Sequence, residues 1–235
     1  MKKILLYMFA LGMVMTSFTS CNDDNDELTD SRITYYAVMS LQGDAFTVSP
    51  IGNKYTDAGC KATLNGEDYT SKIVTTGLSD ININKAGLYT VTYTATNSDG
   101  YASSTSRTVA VCDPTITTNM AGTYTTQAGT YRLRAGKEVP YAGYTVKVTK
   151  AAPGIFAISD IMGGYYDQRA GYGSTYAMVG YFQLLSDNSL VCLSGNVAGW
   201  GDSFSDFADG KYDPATGTIS YVVTYASMKF FVTLK

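Results

Sequence analysis

Short runs of alternating apolar and polar residues, broken by Gly, Asn and Asp, fill most of the chain. The clearest is Gly87–Asn97, GLYTVTYTATN, where Tyr89, Val91, Tyr93 and Ala95 fall on one side and Leu88, Thr90, Thr92 and Thr94 on the other. A period of two is that of a β-strand. Asn97-Ser98-Asp99-Gly100 then supplies a turn, because Asp and Gly tolerate the backbone angles of a tight reversal. Tyr101–Val111 reads as the partner strand, with Val109 and Val111 on its buried face. Upstream, Tyr55–Gly77 breaks into shorter strands separated by turns.

The second half repeats the pattern. Strands are expected at Tyr124–Leu133, Tyr144–Lys150, Ile155–Asp160, Tyr176–Leu185, Leu190–Ser194, Ile219–Tyr225 and Met228–Leu234, with turns at Ser186–Ser189 and Asp213–Gly217. No long stretch has the i, i+3, i+4, i+7 spacing of an amphipathic helix. The fold class is therefore all-β. Short strands at this density fit an antiparallel β-sandwich or a small β-barrel, whose closure would use the C-terminal strand.

The amino end differs. Met1, Lys2 and Lys3 precede an apolar run from Ile4 to Met15, too short to span a bilayer as a permanent helix but of the length expected for a secretory signal. Small residues follow, ending at Cys21. Phe18-Thr19-Ser20-Cys21 resembles a bacterial lipobox, with Phe18 where Leu is usual. The resemblance implies that Cys21 is acylated and becomes the first mature residue, anchoring the protein to the outer membrane.

Charge refines this picture. The whole chain has 17 Lys plus Arg and 20 Asp plus Glu. Asp23, Asp24, Asp26, Glu27 and Asp30 all lie just after Cys21, and from Ser31 onward 15 acids balance 15 bases. A neutral body offers no electrostatic footprint for nucleic acid. A block of like charge with little apolar content stays extended, so Asn22–Asp30 reads as a tether. A cysteine followed by NDDNDE also resembles the acidic export signal of Bacteroidetes lipoproteins, which implies the outer face of the outer membrane; a solvated periplasmic spacer is the alternative.

Two further resemblances cover the body. Tyr55-Thr56-Asp57-Ala58-Gly59, Ala62, Gly87–Tyr93, Asp99-Gly100 and Arg107–Val111 are similar, in order and spacing, to a bacterial immunoglobulin-like module. Ile158–Gly173, Tyr181–Gly195 and Gly210–Tyr225 resemble the C-terminal domain of Bacteroidetes surface lipoproteins. Those resemblances imply a signal peptide (1–20), an acylated Cys and acidic tether (21–32), an immunoglobulin-like sandwich (33–113) and a C-terminal antiparallel β-domain (114–235). They also imply a neighbouring SusC-like and SusD-like transporter as partner, and no catalytic residues. A fold of this kind assigns no chemistry by itself.

The chain has no histidine, which removes His-dependent nucleophilic catalysis and the commonest zinc ligand. Cys60, Cys112 and Cys192 are too scattered for a thiolate metal site; Cys60 and Cys112 are either a disulfide or buried strand thiols. Glycoside hydrolysis needs only two carboxylates. Asp160, Asp167, Asp202, Asp206 and Asp209 lie near Gly-rich loops, but Asp beside Gly is usually turn chemistry. Calcium at Asp202–Asp209 lacks an EF-hand spacing, and no cofactor is expected.

Two loops carry the candidate binding chemistry. Met162–Tyr176 places Tyr165, Tyr166, Tyr172 and Tyr176 around Asp167 and Arg169. Gly195–Phe207 holds Trp200, the sole tryptophan, between Gly199 and Gly201, followed by Asp202 and Phe204. Flat aromatic faces stack on sugar rings or peptide side chains, and Asp and Arg fix orientation. The same aromatics could instead cap the end of the β-domain. Three roles follow: capture of an oligosaccharide or peptide, docking onto the transporter without a ligand, and, behind these two, glycoside hydrolysis.

Overall fold

The structure, a computed structural model, describes residues 33–235. The signal segment, Cys21 and the tether lie outside the described residues.

The first group of strands is β1 (Val38–Leu41), β2 (Phe46–Pro50), β3 (Cys60–Leu64), β4 (Glu67–Asp68), β5 (Val74–Thr76), β6 (Gly87–Thr96) and β7 (Ala102–Cys112). They form a three-stranded sheet β1-β3-β4 and a four-stranded sheet β2-β7-β6-β5, in which β2 runs parallel to β7. The expected hairpin is β6–β7, with Asn97 Oδ1 accepting from the N–H groups of Asp99 and Tyr101. Val91, Tyr93 and Ala95 point into the core as their alternation requires.

The YTDAG and RTVAV segments meet there. Arg107 is fully buried, and its Nη1 donates to Asp57 Oδ1 at 2.5 Å. Its other donors reach the carbonyls of Asp44, Gln42 and Gly59. The Tyr93 hydroxyl donates to the same carboxylate at 2.6 Å. A buried guanidinium is tolerated because its donors are all occupied. In β7, residues 109 to 112 are buried on both faces. Ala110 and Cys112, with Phe46 and Leu88, pack against Ala152, Ile155, Tyr181 and Leu193 of the second group. Phe46 stacks on Tyr181 with ring centroids 5.8 Å apart. Strict alternation fails where both faces are covered.

The second group comprises β8 (Gly122–Thr125), β9 (Tyr131–Arg134), β10 (Lys137–Pro140), β11 (Thr145–Ala152), β12 (Ile155–Ile158), β13 (Met178–Leu184), β14 (Leu190–Val197), β15 (Asp206–Asp213), β16 (Thr218–Tyr225) and β17 (Met228–Leu234). Two five-stranded antiparallel sheets, β14-β13-β12-β11-β8 and β10-β9-β17-β16-β15, enclose a core that includes Phe156, Phe182, Tyr221, Phe230 and Val232. This is a sandwich and not a closed barrel. The C-terminal strand β17 sits inside its sheet, between β9 and β16, and the sheets are joined at the isolated bridges Ser189↔Lys211 and Thr126↔Leu234, the second flanked by reciprocal Thr125–Lys235 backbone bonds.

Three strand expectations change. Tyr124–Leu133 divides into β8 and β9, which belong to different sheets. The intervening turn closes with Thr130 N–H on the Gln127 carbonyl, and Gly129 takes a φ of +92° that few other residues adopt. β10 is an edge strand ending in Pro140, where no ladder donor is needed. β15 is hidden in the sequence because its acids read as turn residues. A bulge between Ala208 and Lys211 also breaks its period of two.

Candidate ligand-binding surface

Strand register brings the two aromatic loops together. Met178 of β13 pairs with Val197 of β14, so the chain entering β13 and the chain leaving β14 emerge side by side at one end of the sandwich. The Gly199 N–H donates to the Thr175 carbonyl at 2.8 Å and ties the loops across that end. A side chain at Gly199 would come within 2.6 Å of the Tyr176 ring, so this close approach requires glycine.

The longer loop is closed at its base by Asp160. This carboxylate is buried and accepts the N–H groups of Met162, Gly164 and Met178 at 2.9, 2.8 and 3.0 Å. Burial pushes its pKa up to about 6 against the opposing effect of those donors. Residues Tyr165–Arg169 then form a single π-helical turn, with the Ala170 N–H on the Tyr165 carbonyl. Such turns are uncommon and recur at functional sites. Here the wide turn presents Tyr166 and Tyr172 on one side. Their rings are 6.1 Å apart and near parallel.

The shorter loop turns sharply after β14. The N–H groups of Trp200 and Gly201 both donate to the Val197 carbonyl, and Val197 N–H bonds the Asp202 carbonyl. Trp200 thus lies among tyrosines: Tyr176 at 4.8 Å, Tyr166 edge-on at 4.9 Å, and Tyr172 edge-on at 6.2 Å. Tyr225, at the end of β16, stacks with Trp200 at 6.1 Å. The Tyr225 hydroxyl donates to both oxygens of Asp202. Burial first, then that hydrogen bond, raises the Tyr225 pKa.

The outcome is an aromatic surface on a well-held frame. Tyr172 and Trp200 remain 56 % and 42 % exposed, and with Tyr176 they line an open cavity of about 270 Å³. A larger groove of about 490 Å³ crosses the outer face of the first sheet beside Val179 and Asn196. Its one ring, Tyr181, is already stacked by Phe46, which makes the aromatic end the better candidate.

Known proteins give this chain a family. The crystal structure of the lipoprotein BT2262 from Bacteroides thetaiotaomicron is of a protein 39 % identical to it, aligned over 85 % of this chain and 100 % of that one, with a TM-score of 0.49. The chain belongs to the family of this Bacteroides lipoprotein. Residues 113–235 match a family model described as a C-terminal domain, and residues 39–111 match the Ig-like domain of bacterial surface proteins. Two structures of Clostridium perfringens ZmpB also align. One holds CBM51-2 in complex with GlcNAc together with INT domains, at 21 % identity over 52 % of this chain and 28 % of that one, TM-score 0.27. The other holds the M60 catalytic domain with CBM51-1 and CBM51-2, at 20 % identity over 53 % and 14 %, TM-score 0.29. Scores that low establish no common fold. No curated protein matches the chain.

Within this family member, the predicted site residues separate into two sets. Tyr166, Tyr172, Tyr176 and Trp200 meet, and Asp202 joins them through Tyr225. Tyr165 is only 6 % exposed and forms the floor, packed edge-on against Phe230 and Tyr141, so it offers no ring to a ligand. Arg169 lies over that buried ring, 5.1 Å from its centroid. Phe204 packs inward against Gly195. Asp167 is half-buried in the π turn, where its carbonyl accepts the Gly173 N–H.

Sequence reading missed Tyr225, Arg132 and Met228, which arrive from the opposite sheet. The only signal for Tyr225 was its place as the last residue of an alternating strand. Asp160, counted among the available acids, is committed to the backbone. Among the described residues no group of three or more His, Cys, Asp or Glu side chains could hold a metal ion, so the calcium idea at Asp202–Asp209 gains nothing. Cys60, Cys112 and Cys192 are free thiols and no Cys60–Cys112 bridge forms.

Proposed function

We propose that this protein is a lipid-anchored, non-catalytic protein of the bacterial outer surface that captures an oligosaccharide on Trp200, Tyr172 and Tyr176. In this reading Cys21 carries the anchor and the Ig-like domain acts as spacer. The captured glycan passes to a SusC-like and SusD-like transporter. The observation that carries the proposal is the pair of exposed rings, Trp200 and Tyr172, held around an open cavity by the half-buried Tyr166 and Tyr176, with the buried Tyr225 behind Trp200. Rings fixed in advance lose little entropy on binding, and a sugar's C–H face is complementary to them. Membership of a lipoprotein family and the match to a surface Ig-like domain support the location.

The test is a glycan panel titrated calorimetrically into wild type and Trp200→Ala, with thermal melts on both. At least a tenfold loss of affinity, about 1.4 kcal/mol, with an unchanged melt supports capture. If peptides bind and glycans do not, the ligand class changes. If nothing binds, while Trp200→Ala loses co-purification with transporter proteins from outer membranes, the surface is a docking face instead.

A further inference from the structure

Among the described residues, the cations beside the aromatic surface have no carboxylate in ion-pair contact. Arg132 and Arg134 stand two residues apart on β9 and so share one face of that strand. The pairing Arg132↔Phe230 sets Arg132 beside β17, at the edge of the aromatic floor. Its guanidinium lies 5.5 Å from the Tyr165 ring centroid, and that of Arg169 lies 5.1 Å from the same centroid. Arg132 Nη1 and the Tyr166 hydroxyl both reach the Met228 sulfur, at 3.7 and 3.9 Å. Tyr166 in turn meets Trp200 edge-on at 4.9 Å. Both Arg132 and Arg134 are close enough for their charge to act on the Tyr166 hydroxyl.

Among the described residues, no carboxylate comes within 4.0 Å of Arg132, Arg134 or Arg169. The buried Nε of Arg132 has no acceptor among the described residues. Contrast Arg107 in the Ig-like domain, whose every donor nitrogen is occupied. A partly desolvated guanidinium without a counter-ion is costly, and its planar fork matches a carboxylate or a sulfate. Asp202 occupies another part of the site and is held there by Tyr225.

We infer that the ligand is an acidic oligosaccharide, one sugar lying against Trp200, Tyr172 and Tyr176 while a carboxylate or sulfate group is held by Arg132 with Arg134 or Arg169. This rests on the capture role proposed above and narrows it to a substrate class. Cations held over the Tyr165 floor and on β9 would also orient the chain, with its charged substituents toward them.

Matched probes that differ only in charge test the inference. Oligogalacturonate is compared with its fully methyl-esterified form, and chondroitin sulfate oligosaccharides with desulfated ones, each titrated into the intact soluble protein. The acidic member of at least one pair should bind ten times or more tighter than its neutral counterpart. That advantage should shrink as salt rises from about 0.05 to about 0.5 M, because surface charges are then screened. Arg134→Gln and Arg169→Gln, both at exposed positions, should each reduce the advantage; Arg132→Gln should abolish it, with a thermal melt confirming the fold. If neutral and acidic members bind equally, the inference fails and glycan capture stands. If acidic binding survives all three substitutions, the anion lies elsewhere and the assignment is wrong. If no glycan binds to folded protein, capture and inference fall together.

Discussion

The Tyr225 hydroxyl donates to both oxygens of the Asp202 carboxylate, at 2.8 and 3.0 Å. One sheet thereby holds the loop of the other, and the Tyr225 ring lies near parallel beneath Trp200. Tyr225→Phe keeps the ring and removes the tie. It should cost about 1.5–3 kcal/mol in stability, the usual net worth of a hydrogen bond to a charged group. It should also weaken ligand binding roughly three- to tenfold through a looser Trp200 turn. Titration calorimetry with urea unfolding checks both; wild-type affinity would mean that the tie is structural only.

The Arg107–Asp57 pair makes a second prediction. Asp57→Ala leaves a fully buried cation with only neutral partners, three carbonyls and the Tyr93 hydroxyl, and the loss should be about 3–5 kcal/mol. Removing both charges together, as Asp57→Ala with Arg107→Met, should cost less than the sum of the single changes, since each single change strands the other charge. Urea unfolding of the four proteins gives the answer.

Asp160 sets a pH dependence. Burial holds its folded pKa at about 6, above the ordinary carboxylate value. The folded state therefore favours the protonated acid. Its stabilising contribution is fully present below about pH 4 and is lost as pH rises through 6, a change on the order of 3 kcal/mol. Asp160→Asn should lack this component of the slope between pH 4 and 7. It should also be less stable throughout, because its amide faces the Gly164 N–H that an oxygen now accepts. Unfolding free energies at both pH values, compared between the two proteins, measure the difference.

The three thiols should be silent in the native state. Burial raises the pKa of Cys60 and Cys112, and pushes that of Cys192 up to about 12. A thiol titration at pH 8 should find none reactive in native protein and three from residues 33–235 after denaturation. Recovering only one would mean that Cys60 and Cys112 are bridged.

Much of the fold was legible in the chain because period-two runs such as Gly87–Thr96 and Met228–Leu234 each bury one face. The Asp57 and Arg107 segments stood out as motifs, and their reason is the ion pair that joins them. Legibility ended where local pattern and environment disagree. Residues 109 to 112 are buried on both faces, β15 carries a bulge and three acids, and Tyr124–Leu133 crosses from one sheet to the other.

For the site, the residue types and the two loops could be read in advance. Loops held by a rigid scaffold often carry binding residues, though rings in them also serve as packing. What the chain alone determined was therefore chemistry: an all-β body without histidine, rich in tyrosine, with Trp200 between two glycines in a polar loop. Tertiary structure decided which rings face solvent. It sent Tyr165 into the floor and Phe204 inward, and brought Tyr225, Met228 and Arg132 across from the opposing sheet. The physical reason is that register is a long-range property. Only the pairing of Met178 with Val197 aligns the loops, and only the packing of one sheet on the other places Arg132 beside them.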